Sequence, residues 1–171
     1  MRPLLFLDLD DIICLNDPYG GYDVLVPTRP TDLYERLFDA RAVAVLVAVI
    51  AELNPQVVLT TSWVRWMDRQ AFEALFRATG MGVVAEALHG AWEAPQDSRM
   101  TRVAAIERWL AEHGNGESFA VLDDELSGTG LEGSPMDLAG HVVLCKGDVG
   151  LRADHLPAIQ AALRGRGSGT T

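Results

Sequence analysis

The sequence predicts an α/β fold: one domain over residues 1–163, built on a parallel sheet with helices on both faces, followed by a tail at 164–171. Three observations carry this. Short, continuously apolar runs rich in β-branched residues alternate with longer helical stretches, as in sheets buried on both faces. The chain has 171 residues, which suits one ordinary domain. Its composition, 49% hydrophobic and 22% charged, is that of a chain able to bury a core rather than a disordered or collagen-like one.

The elements follow in order. Leu4-Leu5-Phe6-Leu7 is an apolar strand that stops at Asp8. Residues 15–40 carry Pro18, Gly20, Gly21, Pro27 and Pro30 and read as a long irregular loop or small hairpin. Ala40 to Leu53 is Ala- and Val-rich and reads as a mostly buried helix, stopped by Asn54-Pro55. Val57 to Thr61 is a second buried strand, Met67 to Thr79 a helix closed at Gly80, and Met81 to Leu88 is assigned a short strand. Thr101 to His113 is an amphipathic helix with Val103, Ile106, Trp109 and Leu110 on one stripe. Phe119 to Leu122 and His141 to Cys145 are further strands, and a last helix runs from about Asp154 to Leu163. The Gly-rich residues after it are low in complexity and expected to be flexible.

Composition also narrows function. The most apolar stretch, Ala42 to Ala51, falls well short of the ~20 residues of a membrane span, and Met1-Arg2-Pro3 followed by a short apolar run does not resemble a secretory signal. Two cysteines, Cys14 and Cys145, imply no disulfide framework and a reducing cytoplasm as the default setting. A net charge of −10 disfavours a broad nucleic-acid footprint, though a site that grips one terminal phosphate needs only one or two cations. Lys146 is the sole lysine. The histidines, His89, His113, His141 and His155, lie in four separate segments and suggest surface or helix-end roles. Both cysteines are apolar-flanked and read as core residues. Trp63 borders the second strand and is read as core packing ahead of a place at the mouth of a site; Trp66, Trp92 and Trp109 are read as packing residues.

The chemistry-bearing residues stand where strands end. Asp8, Thr61 and Asp123 each follow an apolar run, so three carboxyl ends should face one crevice, where open α/β sheets bind ligands. Asp8-Leu9-Asp10-Asp11 and Asp123-Asp124-Glu125 gather carboxylates that repel unless a cation compensates. An all-oxygen donor set favours a hard ion, with Mg2+ first. Asp residues at strand ends also cap helices and make turns, but two such clusters at one sheet edge favour a metal site.

Four motifs in order resemble those of the haloacid dehalogenase (HAD) superfamily of phosphotransferases. They are Phe6-Leu7-Asp8-Leu9-Asp10, Val57-Val58-Leu59-Thr60-Thr61-Ser62, the helix opening at Arg102, and Val121-Leu122-Asp123-Asp124. The likeness covers residues 4 to about 163. The Thr60-Thr61-Ser62-Trp63 turn, the Arg102 helix and Val149-Gly150-Leu151 look most like the small HAD domains of Swiss Army Knife RNA repair proteins. The resemblance implies a Rossmann-like, Mg2+-dependent phosphomonoesterase. In it Asp8 is the nucleophile that forms an aspartyl-phosphate, and Asp10 protonates the leaving group and then activates water. Thr61 and Ser62 bind the phosphoryl group, and Arg102 stabilises its charge. Arg99 and Lys146 are alternative cations. Mg2+ is held by Asp8, the carbonyl of Asp10 and the fourth-motif acids, with Asp124 favoured as the direct ligand and Asp123 reaching it through water. Asp11 stands where that superfamily usually has Gly, and Val64, ahead of Arg65, where related sequences often carry Arg.

Of the two windows that usually receive a cap in that superfamily, residues 15–40 are punctuated by Pro and Gly and too short for a helical one, and residues 64–98 are largely used up by one helix and a possible strand. An uncapped site suits a phosphate on something large, such as a nucleic-acid end or a phosphoprotein. The alternatives are a small-metabolite phosphatase capped by oligomerisation, or a HAD-fold binding or regulatory protein without catalysis. A receiver domain fits less well, because the hydroxyl strand precedes the second acidic strand; a toprim-type domain would need an early Glu and a later Asp pair.

Overall fold

The computed structural model describes residues 1–94 and 97–165. Five parallel strands form one sheet: β1 (Leu4–Leu7), β2 (Gln56–Leu59), β3 (Leu88–Glu93), β4 (Phe119–Asp124) and β5 (Val142–Cys145). Their spatial order is β3-β2-β1-β4-β5. The chain builds outward from β1 through β2 to β3, then returns to the other side of β1 for β4. This reversal puts a topological switch beside the carboxyl end of β1.

The central strands alternate between two buried faces, which explains the unbroken apolar runs Leu4–Leu7, Val57–Leu59 and Phe119–Leu122. Leu5, Leu7, Val57, Leu59, Ala120 and Leu122 enter one core, with Leu46, Val49 and Ile50 of α3 (Ala40–Leu53) and Ile159 and Ala162 of α8 (Leu156–Arg164). Leu4, Phe6, Val58 and Val121 enter the other, beneath Ile106 and Trp109 of α6 (Arg102–His113). Phe6 meets the Trp109 ring edge-on at 5.3 Å, so the central strand anchors the helix that carries Arg102.

Helix α3 presents Ala42, Leu46, Val49 and Ile50 to the core, spaced by helical turns. Asp39 caps its start by accepting from the Ala42 N–H at 2.9 Å, and Asn54 ends it in the left-handed conformation before Pro55. Asp68 caps α4 (Arg69–Ala78), and Thr101 caps α6.

The structure departs from the sequence expectations in three segments. Residues 15–40 form no hairpin: they hold two short helices, α1 (Gly21–Leu25) and α2 (Leu33–Arg36), whose Val24 and Leu33 join the core. The strand expected over Met81 to Leu88 is instead helix α5 (Gly82–Ala87), and β3 follows it. Val84, Ala85 and Ala87 face inward from this helix, so tertiary burial overrides the β-branched Val83-Val84 pair. A further turn of helix, α7 (Pro135–Leu138), starts at a Ser134 cap. At the carboxyl end Arg164 closes α8 and ion-pairs with Glu52; residues 166–171 of the expected tail lie outside the described residues. No described segment forms a cap domain, and no described helix is long and apolar enough to cross a membrane.

Candidate active site

The carboxyl ends of β1, β2 and β4 bring together Asp8, Thr60-Thr61 and Asp123-Asp124, all buried. Register explains the meeting. Leu7 pairs with Leu59 on one side and Leu122 on the other, so the residues just past each pair project from the same edge. Carboxylate oxygens of Asp8, Asp123 and Asp124 all lie within 4.8 Å of one another.

Arg102 enters this cluster from the first turn of α6 and is 4% exposed, which is rare for arginine without a partner. Its Nε lies 2.7 Å from Asp123 Oδ2, and its Nη2 lies 3.4 Å from Asp8 Oδ2. Its backbone N–H donates to Thr129 Oγ1 at 2.9 Å, which ties the helix start to the loop after β4. Arg99 is exposed on the preceding turn, and Lys146 is exposed just past β5. Of the three candidate cations, only Arg102 pairs with the acids.

The electrostatics are those of an over-acidic buried site. Burial raises the pKa of Asp8 above the usual carboxylate range by more than the Arg102 guanidinium lowers it, and the charges of Asp10 and Asp124 add to the rise. Asp123 is raised by burial and then by the charge of Asp8, again against Arg102. Asp8 Oδ1 accepts from the Leu9 N–H at 2.8 Å, and Asp123 Oδ1 from the Asp124 N–H at 2.9 Å. Asp124 Oδ2 accepts from the N–H groups of Leu126 and Ser127 at 2.9 and 3.0 Å. Its Oδ1 is buried with no hydrogen-bond partner. A carboxylate clamped through one oxygen, with the other buried and bare, beside two further buried carboxylates fits a hard divalent cation. Asp8, Asp123 and Asp124 therefore have the donor chemistry that Mg2+ requires.

Around the carboxylate trio stand the half-buried Asp10 and Asp11, the buried Thr60 and Thr61 and the exposed Ser62. Asp10 is half-buried, and its Oδ2 accepts from the Trp63 indole N–H at 2.9 Å. Asp11 adopts φ 61°, a left-handed conformation that glycine takes freely and that Asp and Asn tolerate best among the other residues. That accounts physically for a position where Gly is common. Burial, then Asp124 and Asp10, raise the Asp11 pKa. Thr61 caps the 3-10 turn Ser62–Arg65, its Oγ1 accepting from the Trp63 N–H at 3.4 Å, and Ser62 is exposed at the start of that turn. Thr60 Oγ1 is buried without a partner.

Sequence reasoning missed two contacts. One is the Trp63–Asp10 hydrogen bond: Trp63 is a core residue and also touches the site. Its place directly after the Thr-Thr-Ser turn was the available signal. The other is Thr129, in a loop with no motif. His89 and His113 both lie against Trp109, at 5.0 and 5.2 Å, and are not among the residues described at the site. Both cysteines are fully buried, and burial pushes each thiol up to about 12, which suits core residues rather than nucleophiles.

No curated protein and no solved structure matches the chain. The family described as HAD domain in Swiss Army Knife RNA repair proteins matches it over residues 4–156, from β1 to the start of α8, a span that contains every residue of the cluster. The chain belongs to this family of HAD domains.

Proposed function

We propose that the protein is a Mg2+-dependent phosphomonoesterase that works through a phosphorylated Asp8, on a phosphate at the end of a large substrate such as a polynucleotide. The observation that carries this reading is the trio Asp8, Asp123 and Asp124, buried within 4.8 Å of one another beside Arg102, with Asp124 Oδ1 unpartnered. Asp8, the carbonyl oxygen of Asp10 and Asp124 would hold Mg2+, with Asp123 reaching it through water. When bound, the ion neutralises the crowded carboxylates and polarises the phosphoryl oxygens.

The protein's own groups perform the transfer. A carboxylate oxygen of Asp8 attacks phosphorus as the bond to the ester oxygen breaks, and Asp10 delivers its proton to that leaving oxygen. Asp10, now ionised, takes a proton from water as the water oxygen attacks phosphorus. The bond from phosphorus to Asp8 then breaks, giving inorganic phosphate and restoring both side chains. Thr61 and Ser62 donate to non-bridging oxygens, and Arg102 offsets the charge that builds on them. Lys146, at the rim beyond β5, would meet the substrate outside the reacting group.

The substrate class rests on the absence of a cap domain among the described residues and on the family's description, which names RNA repair proteins. An uncapped site needs the substrate itself to exclude water, which a polymer end does better than a small metabolite. The net charge of −10 slows encounter with a polyanion but does not bar a grip on its terminus. The test is phosphate release from a terminally phosphorylated oligonucleotide, a mononucleotide and a sugar phosphate, with Mg2+ and with EDTA. Mg2+-dependent release, with the oligonucleotide preferred in kcat/KM, is expected. Small phosphates preferred by more than about tenfold, or ~1.4 kcal/mol, would instead point to a cap supplied by a second subunit. Full activity in EDTA would refute the metal assignment.

A further inference from the structure

We infer that Trp63 is a positioning residue that fixes the carboxylate of Asp10 and decides which of its oxygens carries the transferred proton. The inference rests on the phosphatase reading above and assigns a role to a residue outside the reacting groups.

The indole is held from three sides. Trp66 stacks on it with ring centroids 5.3 Å apart and planes 30° apart, and Phe38 stacks at 6.3 Å and 22°. The third wall is Gly21 in the first turn of α1. A Cβ there would lie 2.8 Å from Trp63 Cε2 and 2.9 Å from Nε1, closer than such atoms approach. Gly21 is buried and helical, so glycine serves here to admit the ring rather than to allow an unusual backbone. Trp63 itself is 2% exposed. A ring so confined aims its N–H in one direction, and that direction is Asp10 Oδ2, 2.9 Å away.

The chemistry follows from the donor type. An indole N–H donates and cannot accept. Oδ2 of Asp10 therefore stays an acceptor while the bond stands, and the proton that Asp10 gives to the leaving oxygen and later takes from water resides on Oδ1. The bond is compatible with both protonation states of Asp10, because Oδ2 has lone pairs in each. Asp10 is also fixed through its backbone: its neighbour Asp11 donates its N–H to the Cys14 carbonyl at 2.8 Å. Side chain and main chain are thus held independently. The segment 15–40, too short for a cap, supplies two walls of the clamp that orients the acid–base group.

A residue that acts only by packing would leave transition-state proton transfer untouched, and that difference is measurable. Two variants are made: Trp63→Phe, which keeps an aromatic ring and removes the donor, and Gly21→Ala, which leaves both Trp63 and Asp10 in place in the sequence but pushes on the indole. For each, kcat/KM, which reports the first phosphoryl transfer, is measured on phenyl phosphate and on dinitrophenyl phosphate. Phenolate needs the proton from Asp10; dinitrophenolate leaves almost unaided. Trp63→Phe is expected to lower kcat/KM about 10–100-fold on phenyl phosphate and less than about twofold on the dinitrophenyl ester, with Gly21→Ala showing the same asymmetry. A second readout needs no turnover. In a proton–nitrogen correlation spectrum, the indole resonance that Trp63→Phe removes should move in Asp10→Ala.

Equal losses on both esters, or wild-type values on both, would overturn the inference while leaving the phosphatase reading intact. So would an indole resonance that ignores Asp10→Ala. A wild-type protein inert with Mg2+ towards both esters and towards a terminally phosphorylated oligonucleotide would overturn the phosphatase reading and this inference with it.

Discussion

Replacing Arg102 with Met should destabilise the metal-free protein in a strongly pH-dependent way. The substitution keeps most of the buried aliphatic volume and removes the guanidinium that lies 2.7 Å from Asp123 and 3.4 Å from Asp8. Breaking a buried ion pair from one side costs about 3–5 kcal/mol, because the remaining charge stays desolvated. Here two carboxylates lose their counter-charge at once, so the upper end of that range applies near pH 8. The pH dependence follows from the direction of the shifts. Asp8 and Asp123 both have folded pKa values raised above the ordinary 3.8. Each therefore favours the folded state most fully below its unfolded pKa, and that contribution is lost as pH rises through the folded one. Removing Arg102 raises both folded values further, so the loss reaches to higher pH. Near pH 5 the acids hold protons and need no partner, and the penalty should shrink to about 1–2 kcal/mol of lost hydrogen bonding and packing. Urea denaturation of both proteins in EDTA, near pH 5 and near pH 8, measures the difference. A penalty that is the same at the two pH values, or below about 1 kcal/mol near pH 8, would show that Arg102 does not serve as the counter-charge of these acids.

Two further outcomes follow from single atoms of the site. Asp11→Asn keeps a residue that tolerates φ 61° and removes one charge from the group around Asp124, so metal-free stability should rise by about 0.5–1 kcal/mol near pH 8 and hardly change near pH 4; a fall near pH 8 in urea denaturation would contradict the repulsion argument. Asp124→Asn should retain the hydrogen bonds from Leu126 and Ser127 yet lose the Mg2+ response: saturating Mg2+, which should stabilise the wild type by about 2–3 kcal/mol at a hundred times its Kd, should add less than about 0.5 kcal/mol to the variant. An undiminished Mg2+-induced rise in Tm for Asp124→Asn would move the metal away from this carboxylate.

How much of this was legible in the sequence depended on whether the signal was local. Leu4 to Leu7 and Phe119 to Leu122 are buried on both faces, so every position is apolar and the run stops visibly where Asp8 and Asp123 begin. The strand ends, and with them the acids, could be read directly. Edge strand β3 could not: Leu88-His-Gly-Ala-Trp-Glu93 pairs on one side only, with an irregular register against β2, and carries polar residues. The β-branched pair Val83-Val84 beside it suggested a strand, whereas packing makes it a helix. In the site, a buried Arg102 and an exposed Arg99 lie three residues apart, and only the three-dimensional course of α6 separates them. Trp63 shows the same limit. Its burial could be anticipated from its neighbours, but its bond to Asp10 spans 53 residues and depends on the space left at Gly21.

In the proposed mechanism Asp8 becomes phosphorylated during turnover. The most direct test is to quench the protein with acid during steady-state hydrolysis of an aryl phosphate in Mg2+, reduce the acyl-phosphate with borohydride, and locate the modified residue by peptide mass spectrometry. Homoserine is expected at position 8, absent without substrate or with EDTA, and absent in Asp8→Asn. Turnover that proceeds with Asp8 unmodified, or a modification found at Asp10, Asp123 or Asp124 instead, would contradict it.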